Sequence, residues 1–247
     1  MTDAAGTHFD LIVIGGGPAG YGAALYGASA GLNIALVEKD KVGGTCLHRG
    51  CIPAKELLET AHVFRTVGHA STFGVTSSEP TLDFGTTMGR KQEVVDKLFN
   101  GLSGLLKHRK IEVFNGTGKL RSDRSVLVTG SDGDTAEITA DAVVLAAGSV
   151  PRTLPGFEVG GPVLTSDEVF ELSEKPQKVA VIGGGAIGCE FASMLSDLGS
   201  EVTILEALPQ IMTGVDKDVV STVLRSFKRR KLDVRTGVKV NGHTPGV

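Results

Sequence analysis

The chain has 247 residues, enough for two domains that each bury a core of their own. A net charge of −3 and the lack of tryptophan leave neither the basic footprint nor the stacking platforms of a nucleic-acid binder. Hydrophobic residues make up 41% and charged residues 21%, an ordinary globular balance, and no apolar run reaches the length of a membrane span.

Met1 to Asp10 lacks the basic-then-apolar pattern of a secretory signal. Phe9 to Ile14 then reads as a short buried parallel strand. Gly15-Gly16-Gly17-Pro18-Ala19-Gly20 follows at once, Tyr21 to Ala30 is helical, and Asn33 to Val37 forms a second strand that ends in Glu38. Each marked residue has a physical task. Gly15 permits the tight turn, Gly17 lets the backbone approach a pyrophosphate, and Gly20 lets helix and sheet pack closely. The helix N-terminus faces the diphosphate, and Glu38 accepts hydrogen bonds from an adenosine ribose.

The stretch from Gly43 to Lys55 reads Gly-Gly-Thr-Cys-Leu-His-Arg-Gly-Cys-Ile-Pro-Ala-Lys. Cys46 and Cys51 lie too far apart on an ideal helix to pair, since a disulfide needs Cα atoms within roughly 7 Å. A distorted turn at Gly43, Gly44 and Gly50, with Pro53 in the first turn of the next helix, brings them together. Cys51 then stands near a helix N-terminus that favours a thiolate. His48 and Arg49 either add positive charge there or are solvated loop residues. The pair reads as a reversible, electron-accepting disulfide, against the alternative of two unconnected buried thiols. Few cysteines, two of them so placed, fit a reducing compartment, and the cytoplasm is the default.

Ala54 to His69 is predicted helical, Phe73 to Thr81 a loop, and Asp83 to Lys110 a long helix. Its apolar stripe of Val94, Val95, Leu98, Leu102, Leu105 and Leu106 is read as core packing. Val113 to Leu120, Ser125 to Thr129 and Ala136 to Ile138 are predicted antiparallel strands, with a turn at Asp132-Gly133. Ala142 to Ala146 is a separate buried strand that leads into Ala147-Gly148-Ser149. Thr165-Ser166-Asp167-Glu168 has the spacing of a capping box.

The pattern then recurs. Lys178 to Ile182 is a strand, Gly183-Gly184-Gly185-Ala186-Ile187-Gly188 a glycine turn, Glu190 to Leu198 a helix, and Glu201 to Leu205 a strand ended by Glu206. Glu38 follows Gly15 by 23 positions, Glu206 follows Gly183 by the same 23, and the marked residues are offset by 168. Gly183, Gly185, Gly188 and Glu206 thus repeat the roles of Gly15, Gly17, Gly20 and Glu38. Glu206 suits a ribose 2′-hydroxyl and repels a 2′-phosphate, and Ala207-Leu208-Pro209 offers no arginine, which favours NAD over NADP. Cys189 reads as a packed, inert thiol. The expected fold class is α/β, with two Rossmann-like nucleotide-binding domains and a small antiparallel β-meander inserted in the first.

Gly43-Gly44-Thr45-Cys46, Gly50-Cys51-Ile52-Pro53, Lys55 and the two glycine turns together resemble the pyridine nucleotide–disulfide oxidoreductases, along essentially the whole chain. Within that family the likeness is greatest to members that oxidise dihydrolipoyl groups. The resemblance implies an FAD-binding domain over 1–150 and an NAD-binding domain over 151–247. Cys51 is the thiol closest to the flavin, and Cys46 exchanges with substrate. Lys55 lies near the flavin and pairs with Glu190. Thr45, Gly118 and Gly148 join the cofactor contacts, and no metal is expected. Ala147 stands where the family usually has threonine, and His48-Arg49 where it commonly has Asn-Val. The implied partner is a dihydrolipoyl carrier domain of a 2-oxoacid dehydrogenase or glycine-cleavage complex, with homodimers in the intact relative.

The family's return segment and its dimerisation domain, with a His–Glu acid–base pair, find no match before Asn241-Gly242-His243-Thr244-Pro245-Gly246-Val247. His243 lies too early and lacks the downstream glutamate. A C-terminally truncated chain, with little or no activity on lipoamide, is the expectation. Alternatives are a mercuric or glutathione reductase-like member and a non-catalytic nucleotide-binding fragment.

Overall fold

A computed structural model describes residues 7–243. The first residues of the Met1–Asp10 stretch, and Thr244 to Val247 of the closing one, lie outside the described residues. The chain divides into two compact units: the first runs to Ile52 and resumes over Glu93–Val150, and the second takes Pro53–Gln92 and continues from Pro151. This differs from a split into 1–150 and 151–247. Residues 53–92 group with the second unit because Ala54, Leu57 and Ala61 share a buried cluster with Phe191, Met194 and Leu195. Burial of that apolar surface outweighs sequence proximity.

In the first unit the elements are β1 (His8–Ile14), α1 (Pro18–Ser29), β2 (Ile34–Glu38), α2 (Gly44–Arg49) and the start of α3 (Cys51–Gly68). After the last part of α4 (Phe84–His108) come β3 (Glu112–Asn115), β4 (Thr117–Leu120), β5 (Val126–Thr129) and β6 (Thr135–Leu145). They form one six-stranded sheet in the order β3-β2-β1-β6-β5-β4. The pairs β1–β2, β1–β6 and β2–β3 are parallel, while β5 is antiparallel to both β4 and β6. Side chains alternate across the sheet: Val13, Ile34 and Leu36 pack on one face with Ala24 and Leu106, and Ile12, Ile14 and Val37 on the other with Val126, Val128 and Ile138.

Several predicted elements change here. Val113 to Leu120 is two strands, because Glu112–Asn115 pairs parallel with β2 and Thr117–Leu120 antiparallel with β5. The break falls at Gly116, where a Cβ would come within 2.6 Å of the Thr129 carbonyl oxygen. Conversely, Ala136–Ile138 and Ala142–Ala146 are not separate: β6 is one strand of 11 residues, its first part pairing with β5 and its second with β1. The Asp132-Gly133 turn is present, with Gly133 at φ 86° and the Asp134 N–H donating to Asp132 Oδ1 at 3.1 Å. On α4, Val95 and Leu106 are buried, but Leu98 and Leu105 are 44% and 41% exposed, so the stripe is narrower than its apolar positions suggest.

The second unit contains most of α3, the start of α4, β7 (Lys178–Ile182), α5 (Ala186–Asp197), β8 (Glu201–Glu206), α6 (Lys217–Arg229) and β9 (Asp233–Thr236). Its sheet is parallel, in the order β7-β8-β9. Ile204, Ile211, Val220 and Phe227 join Ala192 and Leu195 in its core. Half of the capping box at Thr165 is formed: Glu168 Oε2 accepts from the Thr165 N–H at 2.7 Å. Thr165 Oγ1 accepts from the Asp167 N–H at 3.2 Å, one residue short of the box pattern, and the helix's N-cap is Asp167. It opens a short 3₁₀ turn, Glu168–Glu171, rather than an α-helix.

Candidate functional site

The two glycine turns adopt the same geometry to within a few degrees. Gly15 and Gly183 lie at φ 105° and 106°, a left-handed conformation that only glycine takes readily. Gly17 and Gly185 cap their helices at φ −72°, ψ −174° and φ −70°, ψ −179°. A Cβ on Gly20 would come within 1.7 Å of the Gly15 carbonyl oxygen, and one on Gly188 within 2.1 Å of that of Gly183. The third glycine of each motif therefore exists for helix–strand contact.

Both acids are tied into these turns. Glu38 Oε2 accepts from the Gly16 N–H at 2.6 Å, and Glu206 Oε2 from the Gly184 N–H at 2.6 Å. Their other oxygens accept from Asp40 N–H at 2.9 Å and Leu208 N–H at 2.8 Å. Each carboxylate retains lone pairs for a further donor such as a ribose hydroxyl. Gly16 and Gly184, which the motif pattern gives no task, are constrained as well. A Cβ at Gly16 would meet Glu38 at 3.1 Å, and one at Gly184 would meet Ile211 at 2.6 Å. The signal was present in the sequence, since both motifs carry three consecutive glycines where two are required.

The helix N-termini fit an anionic group. Neither α1 nor α5 has a side-chain cap or an acid in its first turn, whereas α6 has both, through Asp216 and Asp218. The first N–H groups of α1 and α5 thus stay available for phosphate oxygens. Nothing lies within 4 Å of a Cβ built on Gly185, so space is open beside that turn. Gly118 lies over the ends of β1 and β2, where a Cβ would touch Val37 at 3.1 Å and Ile14 at 3.2 Å. Ala146 and Ala147 cross beside Gly15, and Gly148 follows at φ 72°.

The cysteine segment folds as two helices, not as an irregular turn leading into one. Thr45 and Cys46 lie in α2, Gly50 interrupts, and Cys51 opens α3. A Cβ on Gly50 would come within 2.9 Å of the Thr45 carbonyl oxygen and 3.3 Å of Cys46 Cα. The chain has therefore folded back onto Cys46 one residue before Cys51. Cys46 is half-buried and Cys51 exposed, and all three cysteines are present as thiols. His48 and Arg49 have partners of their own: His48 Nε2 donates to the Val42 carbonyl at 2.9 Å, and Arg49 donates to Asp40 Oδ2 at 2.8 Å.

In the second unit, Lys55 Nζ lies 2.6 Å from Glu190 Oε1, the pairing that the resemblance implied. The side chains are 58% and 38% exposed, so the ion pair adds little stability and fixes the ammonium's position instead. Cys189, just after the second glycine turn, is buried; burial and then the Glu206 charge push its thiol up to about 11.

A strand–glycine turn–helix–strand–acid unit used twice, the first copy followed by a cysteine pair, defines an α/β protein of paired Rossmann type. Residues 9–245 match the family model described as pyridine nucleotide-disulphide oxidoreductase, and the chain belongs to that family. It is 43% identical over 234 residues to dihydrolipoyl dehydrogenase of Chlamydia pneumoniae, covering 95% of this chain and 50% of that protein. The corresponding figures for dihydrolipoyl dehydrogenase of Bacillus subtilis are 42% over 243 residues, 95% and 51%. Among solved structures, the Cu(II) complex of the HOCl-induced flavoprotein disulfide reductase RclA from Escherichia coli superposes with a TM-score of 0.82 at 29% identity, over 96% of this chain and 51% of that one. LpdA from Mycobacterium tuberculosis shares the fold, with a TM-score of 0.88 at 24% identity over 96% of this chain and 52% of that one. The chain spans about half the length of these relatives. Among the described residues, no helix is long and apolar enough to cross a membrane.

Proposed function

We propose that this chain carries the FAD-binding, NAD-binding and dithiol parts of a dihydrolipoyl dehydrogenase, acting in the cytoplasm on dihydrolipoyl groups of 2-oxoacid dehydrogenase or glycine-cleavage carrier domains. The observation that carries the reading is the repeated turn, the same glycine and acid geometry twice in a chain with Cys46 and Cys51. On this reading, the α1 N-terminus, Glu38, Gly118 and Gly148 hold FAD, and the α5 N-terminus with Glu206 holds NAD. When bound, FAD supplies a two-electron acceptor and NAD the final hydride acceptor.

The chemistry of the chain's own residues is thiol–disulfide exchange. One substrate sulfur attacks Cys46 Sγ of the oxidised pair, forming a mixed disulfide and releasing Cys51 as a thiolate. The second substrate sulfur then displaces Cys46. Substrate leaves as a disulfide, and its two electrons and two protons remain on Cys46 and Cys51. Lys55, held by Glu190, presents a fixed positive charge that favours negative charge nearby.

The test is reconstitution of the chain with FAD, followed by anaerobic titration with dihydrolipoamide. A retained yellow flavin, with a long-wavelength band that appears on titration and is lost in Cys51→Ser, supports the reading. A chain that stays colourless after desalting, or a flavin spectrum indifferent to the dithiol, overturns it.

A further inference from the structure

α2 is a helix of 6 residues whose N-cap, Gly43, provides no side-chain cap. Isolated helices shorter than about 12 residues are marginal in water, so α2 owes its shape to what it packs on. Leu47 is buried against Gly43, where a Cβ would sit 2.3 Å from Leu47 Cδ2. His48 reaches back over the loop, where its Nε2 donates to the Val42 carbonyl at 2.9 Å. Its ring meets that of Phe99 edge-on, with centroids 5.4 Å apart. Val42 is itself buried, in the cluster with Leu36 and Leu106. The Arg49–Asp40 pair is about half exposed and holds α2 only weakly.

From these contacts we infer that His48 is a positioning residue for the Cys46–Cys51 couple. This rests on the oxidoreductase reading above. On a helix, positions two apart point to different sides, so His48 does not act by touching Cys46. It acts by pinning the α2 backbone to a buried carbonyl, which keeps Cys46 beside the point where Gly50 brings the chain back to Cys51. Without that bond α2 frays, the two sulfurs meet less often, and their effective concentration toward each other falls.

The equilibrium that reads this out needs no cofactor. Cys46 and Cys51 lose two electrons and two protons as one S–S bond forms, and glutathione disulfide is reduced to two glutathione thiols. The constant is measured on the 247-residue chain in glutathione buffers by alkylation and mass spectrometry. The variants are His48→Ala, His48→Phe, which keeps a ring on Phe99 without the donor, and His48→Gln, whose amide nitrogen can take the place of Nε2. His48→Ala and His48→Phe should lower the constant about tenfold, with His48→Gln within about threefold of the parent. Amide hydrogen exchange in β1 and β2, the core strands of the same unit, serves as the folding check; should His48→Ala unfold, the Phe and Gln variants decide. Values for Ala or Phe within about threefold of the parent, or an equal fall in Phe and Gln, overturn the inference alone. A parent chain that never forms the 46–51 disulfide overturns the oxidoreductase reading, and the inference with it.

Discussion

Gly44 stands directly on Gly17. A Cβ on Gly44 would come within 2.6 Å of Gly17 Cα, and Gly44 lies at φ 58°. Beside this contact, the Gly43 N–H donates to the Gly16 carbonyl at 2.8 Å. The first glycine turn and the start of the cysteine helix thus meet backbone to backbone, which no other residue type at position 44 allows. Gly44→Ala should cost about 2–4 kcal/mol, combining left-handed strain with an overlap that no rotamer change relieves. Gly22→Ala, inside α1 with no atom within 4 Å of its added Cβ, should instead stabilise the chain by up to about 1 kcal/mol. Denaturant midpoints check both, and a neutral Gly44→Ala would contradict the contact.

Glu38→Gln and Glu206→Gln separate the two nucleotide turns. Each native carboxylate accepts from two backbone N–H groups, and a glutamine must turn its own donor toward one of them. The mispairing should cost about 1–3 kcal/mol in each case. Glu38→Gln should weaken FAD retention and leave NADH binding as it was, and Glu206→Gln should do the reverse. Flavin fluorescence and calorimetry with NADH measure the two effects. Equal losses of both nucleotides in either variant would refute separate sites.

Cys189 should resist alkylation. With its thiol pushed up to about 11, only about one molecule in a thousand is a thiolate at pH 8. Iodoacetamide at that pH should label Cys46 and Cys51 and leave Cys189 untouched until denaturant is added. Peptide mapping decides this, and comparable labelling of all three would contradict the burial.

Lys55→Met should leave stability almost unchanged, within about 1 kcal/mol, because the Lys55–Glu190 pair is largely exposed. The dithiol-induced long-wavelength band should nevertheless weaken, with partial recovery in Lys55→Arg. If the band is the same in Lys55→Met, the lysine has no part in the redox site.

Glu168 should make the second unit acid-sensitive. The Thr165 hydroxyl, and next the Thr165 N–H, hold its carboxyl below the usual value of 4.5. A folded value below the unfolded one contributes stability that is fully present above about 4.5 and is lost as pH falls through the folded value. Glu168→Gln should flatten the stability–pH curve in that acid range, and an unchanged curve would assign the acid sensitivity elsewhere.

Much of the candidate site was legible because its physics is local. Gly15 and Gly183 need a positive φ, Gly20 and Gly188 need a missing side chain, and Glu38 and Glu206 end the strand that follows; all of this fits within 24 residues of each motif. The Lys55–Glu190 pair was legible only through resemblance, since 135 positions separate the two residues and nothing nearby in sequence marks either. For His48 and Arg49 the sequence left both readings open, charge beside Cys51 or solvated loop, because their partners, the Val42 carbonyl and the Asp40 carboxylate, become neighbours only once α2 has formed.

By itself, then, the sequence determined the α/β class and the two glycine turns with their acids, because each depends on backbone conformation or spacing along a few turns of chain. Only the tertiary structure decided that β6 serves both the parallel strands and the antiparallel meander, that Gly116 divides β3 from β4, and that residues 53–92 pack with the second unit. Alternation along a strand reports which side chains are buried but not the direction of its partner. Likewise, the apolar face of a helix does not record which core will cover it.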